Sequence, residues 1–218
     1  MRPQEFAEAA GIPRETLRKF ITYHDLIEKW QKQINLVGAA TLPSIWERHF
    51  LDSAQLFPLL DDDNKVVIDL GSGAGFPGLV LALLAESTGR ATVFHLVESD
   101  ARKAAFLAEA ARALVLGEHV RIRVARAETL ADGELAGAAD VVTARALAPL
   151  ERLCALVAPL LAEGGRAIVS KGARHAEELA AAREAGWRFA LETHPSRTET
   201  GAAILVLSRL ARDSRGAI

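Results

Sequence analysis

Lys65-Val-Val-Ile-Asp-Leu-Gly-Ser-Gly-Ala-Gly-Phe-Pro-Gly78 decides the reading of this chain. Val66, Val67 and Ile68 have the branching and bulk of a strand buried on both faces, as strands of a parallel sheet are. Gly71, Gly73 and Gly75 then allow a sharp turn and leave no Cβ between the backbone and a ligand. Pro77 suits the first turn of a helix running to about Ala85. The segment reads as strand, nucleotide-binding loop, helix. Because Gly73-x-Gly75-x-x-Gly78 also fits the dinucleotide pattern, spacing alone points to a nucleotide without saying which.

Two acids narrow the choice. Asp69 stands two residues before the first glycine, where a dinucleotide fold usually keeps its strand apolar. A buried carboxylate there needs a cationic or hydrogen-bonding partner, and a ligand ammonium would supply one. Ala91-Thr-Val-Phe-His-Leu-Val-Glu98 reads as the second strand, and Glu98 falls about 20 residues past the loop, where an acid binds ribose hydroxyls. An adenosine on Glu98 with an amino-acid tail near Asp69 suggests S-adenosylmethionine.

The chain of 218 residues, 50% hydrophobic, is long enough for one α/β domain with an appendage. Its apolar runs fall short of the roughly 18 residues that cross a bilayer, and Met1-Arg-Pro-Gln-Glu5 lacks a signal-peptide core, so a cytoplasmic location is expected. The single cysteine, Cys154, excludes an internal disulfide and falls in an apolar helix, where it reads as core. The six histidines show no close metal-ligand spacing, so no metal is expected. A net charge of −2 is not that of a free-standing nucleic-acid binder. Any such role must come from local patches: Arg14, Arg18, Lys19, Lys29 and Lys32 near the N-terminus, or Arg145, Lys171, Arg174 and Arg197 later.

Helical spacing of Leu17, Phe20, Ile21, Ile27, Trp30 and Ile34 predicts an amphipathic helix from Thr16 to Ile34. A second is expected to start with Thr41 as N-cap and to end at Pro58 and Asp61-Asp-Asp-Asn64. Residues 1–64 thus form a helical extension capping a domain at 65–210, with 211–218 as a tail. Within the domain a helix from Ala101 to Leu116, a strand at Val120–Val124, a loop from Ala125 to Thr129 and a strand at Ala139–Ala144 follow in turn. A helix from Pro149 to Leu161 precedes a Gly164-Gly165 turn into a strand at Arg166–Ser170. The alternation predicts a mainly parallel α/β sheet, and the last strands, Arg188–Thr193 and Ala202–Ser208, should pair as an antiparallel hairpin.

Seven strands in this order resemble the class I S-adenosylmethionine-dependent methyltransferase fold. Arg48-His-Phe-Leu-Asp-Ser53, the glycine loop with its Phe-Pro-Gly ending, Asp140-Val-Val-Thr-Ala-Arg-Ala-Leu-Ala148 and Lys171-Gly172 together resemble the GidB (RsmG) family from about Tyr23 to Leu210. That family methylates N7 of a guanine in 16S ribosomal RNA of the small subunit. The resemblance implies that Gly71 and Phe76 line the methionine and adenosine pocket, that Ala127 and Glu128 lie near the adenine, and that Arg145 closes the site. Glu98 occupies the ribose position. Arg197 and Arg209 correspond to family basic residues without a tight motif around them.

The chemistry agrees, since guanine N7 has an exposed lone pair and needs positioning more than a general base. Arg145, at the C-terminal end of strand four, is the catalytic candidate. It could contact guanine O6, an RNA phosphate or the cofactor carboxylate, or form an ion pair with Asp69 or Glu128. Lys171 suits phosphate or a solvated strand end. His49 and Asp52 suggest helix-to-domain anchoring, with Arg48 and Asp52 on one face. The alternatives are a methyltransferase of a small molecule or protein, and a catalytically silent nucleotide-binding module or a dinucleotide-dependent oxidoreductase. The last lacks a Tyr-x-x-x-Lys constellation, the only tyrosine being Tyr23, outside the nucleotide domain.

Overall fold

The computed structural model describes residues 1–213. Seven strands, β1 (Val66–Leu70), β2 (Val93–Glu98), β3 (Val120–Val124), β4 (Ala139–Arg145), β5 (Leu161–Lys171), β6 (Trp187–Pro195) and β7 (Ala203–Arg212), form one sheet in the order β3-β2-β1-β4-β5-β7-β6. β3 to β5 run parallel, and β7 is antiparallel to both β5 and β6. This is the expected doubly wound sheet with a terminal hairpin. Strand order reverses between β1 and β4, which opens a crevice at their C-terminal ends, where open α/β sheets bind ligands.

Alternate residues of the sheet feed two cores. On one face Val67, Phe94 and Val141 pack with α4 (Gly78–Ser87) and α5 (Ala101–Ala113); on the other Ile68, Leu70 and Val142 pack with α6 (Leu150–Val157), and α7 (His175–Glu184) lies on that side. α4 is apolar and buried from Gly78 to Ala85. α5 begins at Asp100, whose carboxylate accepts hydrogen bonds from the Arg102 and Lys103 N–H groups. Cys154 is buried in α6, as expected, and burial pushes its thiol up to about 11.

The N-terminal 64 residues are built into the first of these cores. α1 (Pro3–Ala10), absent from the expected elements, buries Phe6 against Phe20, Trp46 and Phe50. α2 (Arg14–Gln31) stops three residues before Ile34, because the Gln31 side chain turns to bond the Leu36 and Val37 N–H groups and the Val37 carbonyl. Thr41 is not an N-cap: its hydroxyl, inside a 3-10 turn from Ala39 to Ser44, donates to the Gly38 carbonyl. A π-helical turn, Trp46–Leu51, then runs into α3 (Asp52–Ala54).

Two further expectations are corrected. Gly164-Gly165 does not turn the chain between elements but lies inside β5, where Ala139 faces Leu161 and Val141 already faces Arg166. A Cβ on Gly165 would sit 2.6 Å from the Ala139 carbonyl, so the bulge needs glycine. β7 continues past the expected boundary at 210, since Trp187 pairs with Arg212; residues 214–218 of the expected tail lie outside the described residues. Among the described residues, no helix is long and apolar enough to cross a membrane.

Candidate functional site

The glycine loop is tied down at every corner. Gly71 and Ser72 N–H groups both donate to the Val97 carbonyl, at 2.9 and 3.0 Å. Gly73 N–H donates to Glu98 Oε2 at 2.9 Å, while Glu98 Oε1 accepts from Asp100 N–H at 2.8 Å. Asp69 is fully buried; its carboxylate accepts from the Thr143 hydroxyl at 2.8 Å and from Gly78 N–H at 3.2 Å. Its partners are therefore in the chain itself, and Asp69 does not line the cavity. Burial nonetheless pushes its carboxyl up to about 6. A Cβ on Gly78 would stand 2.7 Å from Asp69 Oδ2, so this glycine lets the helix start against the acid.

The fourth corner comes from outside the nucleotide unit. Tyr23, on α2 and fully buried, donates its hydroxyl to the Ala74 carbonyl in the loop, and its ring stacks on Phe76 with centroids 5.6 Å apart. A Cβ on Gly75, whose φ is +90°, would overlap that hydroxyl. Sequence reading set Tyr23 apart from the site, and no local pattern marks it.

Arg145, leaving the end of β4, is held by three acceptors from the N-terminal extension. They are the Arg48 carbonyl at 3.1 Å, Asp52 Oδ2 at 3.3 Å and His49 Nδ1 at 2.7 Å. Its guanidinium lies over Phe76 at 5.3 Å, and the His49 ring stacks on the same phenyl at 5.0 Å. The arginine's ion pair is thus with Asp52, not with Asp69 or Glu128. Burial, then the charges of Arg145 and Arg48, hold His49 down to about 3, so the ring is neutral. Since Nδ1 accepts from Arg145, the proton sits on Nε2, which bonds Thr41 Oγ1 at 2.8 Å. Arg48 and Asp52, expected on one face, both line the cleft, where Asp52 meets Arg145 and Arg48 bridges to Glu199 at 3.2 Å. The π-helical turn carries Arg48 and His49 and leads into Asp52, and all three line the cleft. The motif anchors helix to domain, as its sequence suggests.

Two cavities meet over Gly71. The larger, about 690 Å³, is lined by Gly71, Gly73, Phe76 and Arg145 among others; the smaller, about 240 Å³, by Ala127, Glu128, Val97 and Ser99. Leu147 and Ala148 border both, and Leu147 Cδ1 lies 2.8 Å from where a Gly71 Cβ would be. Ala146 before it has φ +51°, which turns this loop over the glycines. Gly75 and Glu98 line neither cavity but brace the loop. Glu128 pairs with Arg152 at 2.6 Å and Arg126 at 3.6 Å.

The basic candidates divide. Lys171 is neither solvated nor free, because its amine donates to the Ala148 carbonyl and to Glu178, both at 2.7 Å, and its side chain is 9% exposed. Lys19 and Lys29 tie α2 to Glu86 and Glu109 of α4 and α5. Arg14, Arg18, Lys32, Arg174 and Arg197 are exposed, with Arg197 donating to the Ala9 carbonyl at 3.3 Å. Arg209 lies at a β7 bulge near the opposite end of β5 from Lys171, away from the cleft. His24, Asp25 and Glu28 come within 4.8 Å of one another on α2, and the His24 ring stacks on Trp46.

The family model described as GidB, rRNA small subunit methyltransferase G, matches residues 16–196, most of the chain and all the residues of the cleft up to Ser196. The chain belongs to the GidB family. A GidB relative from Rhodospirillum centenum, named ribosomal RNA small subunit methyltransferase G, is 48% identical over 210 residues, covering 96% of this chain and 92% of that one. One from Cereibacter sphaeroides with the same name is 49% identical over 205 residues, covering 94% and 95%. Among solved structures, a methyltransferase from Geobacter sulfurreducens aligns with TM-score 0.58 at 12% identity over 95% of this chain and 96% of that one. M. jannaschii TYW2 in complex with AdoMet aligns with TM-score 0.55 at 16% identity, covering 84% and 80%. These likenesses establish the methyltransferase fold of this GidB chain.

Proposed function

We propose that this chain transfers a methyl group from S-adenosylmethionine to N7 of a guanine in 16S ribosomal RNA. Membership of a family whose relatives carry that name supports the RNA substrate. The observation that carries the chemistry is the state of the cleft: each basic or acidic side chain positioned around Arg145 is already engaged, and His49 is neutral with both nitrogens bonded. Such a site suits a nucleophile that already has its lone pair, and guanine N7 is one.

In this reading the cofactor's methionine end lies along Gly71, Gly73 and Phe76, and its adenine reaches Ala127 and Glu128. Glu98 has lone pairs left for the ribose hydroxyls while it holds Gly73. Bound S-adenosylmethionine supplies an electrophilic methyl, and the protein's task is to hold base and sulfonium in line. Asp69 and Gly75 keep the loop in shape. Arg145, pinned over Phe76, fixes the incoming guanine, and exposed Arg197 contacts RNA on the rim. Lys171 acts indirectly, by holding Ala148 in the loop above the glycines. The reaction runs in the cytoplasm, where its substrate is assembled.

Labelled methyl incorporation into unmodified small-subunit RNA and small subunits, with product mapping, tests this. Incorporation at guanine N7, strongly reduced in Arg145→Ala and falling with salt, is expected, because phosphate contacts release counterions. Tight S-adenosylmethionine binding with no incorporation into either substrate would redirect the reading to a small molecule.

A further inference from the structure

The larger cavity continues past Arg145 to a mouth formed by the π-helical turn on one side and the β6–β7 connection on the other, where Ser196, Glu199 and Ala202 line it. Its titratable lining residues are Arg48, His49, Asp52, Arg145, Lys171, Glu178 and Glu199, and their bonds can be counted. Asp52 accepts from Arg145, Gln55 and Thr198. Glu178 accepts from Lys171 and Leu150 N–H, and Lys171 is shared between Glu178 and Ala148. His49 is occupied at both nitrogens. Only Arg48 and Glu199, among these described residues, are joined to nothing but each other by their side chains, at 3.2 Å and with 40% and 49% exposure.

Resting on the guanine-N7 reading, we propose that Arg48 and Glu199 form the subsite that recognises the target base. Guanine carries an acceptor, O6, beside two donors, N1–H and N2–H, along one edge. A guanidinium beside a carboxylate presents the complementary pattern, donors to O6 and an acceptor to N1–H and N2–H. Adenine would set its amino group against Arg48 and an unprotonated N1 against Glu199, so both contacts would repel it. The exposed ion pair is weak, and exchanging it for a base edge loses little. The subsite is also wired to the methyl-transfer centre, because the Arg48 carbonyl accepts from Arg145.

Charge development strengthens the contact during reaction. The N7 lone pair forms the new bond to the methyl carbon as the carbon–sulfur bond breaks and its electron pair returns to sulfur. The sulfonium becomes a thioether and the purine becomes cationic. N1–H grows more acidic as that charge appears, so its bond to the Glu199 carboxylate tightens toward the transition state. Glu199 therefore contributes to turnover as well as to base binding.

The test is single-turnover methyl transfer from labelled S-adenosylmethionine to unmodified small subunits, with wild type, Glu199→Gln, Glu199→Ala and the charge-exchanged double variant Arg48→Glu, Glu199→Arg. Glu199→Ala should lower kcat/KM by about 10- to 100-fold, the discrimination of one bidentate base contact. Glu199→Gln keeps an acceptor without the charge and should lose mainly kcat. Both should bind S-adenosylmethionine and melt as wild type does, since Glu199 is half exposed. Wild-type rates in both single variants, or recovery of activity by the charge exchange, would overturn the proposal and leave a structural ion pair. Wild type that methylates no guanine would remove the underlying function as well, a distinct result.

Discussion

Tyr23→Phe is the sharpest test of how the N-terminal extension holds the glycine loop. The substitution keeps the ring, its stack on Phe76 at 5.6 Å and its edge contact with Phe50 at 5.3 Å, and removes only the hydroxyl that bonds the Ala74 carbonyl. Ala74 is 4% exposed, so water cannot readily replace the lost donor. Leaving a buried carbonyl without its partner costs about 1–3 kcal/mol. A chain of this size loses about 2–4 °C of melting temperature per kcal/mol, so the variant should melt roughly 2–12 °C lower. Thermal circular dichroism measures this, and calorimetry with S-adenosylmethionine should show weaker binding, because the Gly73–Gly75 segment is held less firmly. A melting temperature within about 1 °C of wild type, together with unchanged affinity, would refute the claim that Tyr23 anchors the loop.

Glu98→Ala removes the acceptor of Gly73 N–H and of Asp100 N–H, and in a cofactor titration should weaken binding by about 1–3 kcal/mol; undiminished affinity would take Glu98 out of the site. Two desolvated groups should drive stability in opposite directions with pH. His49, held down to about 3, contributes stability that is present above about pH 6.5 and is lost as pH falls toward 3, so the denaturant stability gap between wild type and His49→Ala should shrink from pH 7 to pH 5. Asp69, pushed up to about 6 from 3.8, contributes most below about pH 3.8 and loses it as pH rises through 6, so wild type should lose ground against Asp69→Asn by up to about 3 kcal/mol between pH 4 and 7. A flat difference in either pair would contradict the desolvation of that group.

The sheet was legible because its signals are local. A branched run, a glycine loop and a following apolar helix can be read within Lys65 to Ala85, and strict alternation marks Val120–Val124, whose bounds agree in sequence and structure. α1 was not legible, since it is 8 residues long and buries only Phe6. Arg48 and Asp52 were legible as sharing one helix face, but their partners, Glu199 and Arg145, come from distant segments that the spacing within the turn cannot name. Tyr23 reaches across 51 residues to Ala74, and Arg145 across 97 to Arg48, contacts that leave no periodic mark in either segment. Lys171 looked like a free cation because its acceptor, Glu178, comes from the helix that follows the strand and folds back over its end.

Because Phe6, Phe20, Tyr23 and Phe50 share one apolar core with Phe76, Phe94 and Phe106, the extension is not a portable accessory. Grafting residues 1–64 onto another nucleotide fold would leave their aromatic faces uncovered, and deleting them would strip both the Ala74 carbonyl and Arg145 of their partners. The two halves should melt cooperatively, in a single transition. A change in the Arg48–Asp52 turn would therefore reach the glycine loop through Phe50, whose ring meets both Tyr23 and Phe76.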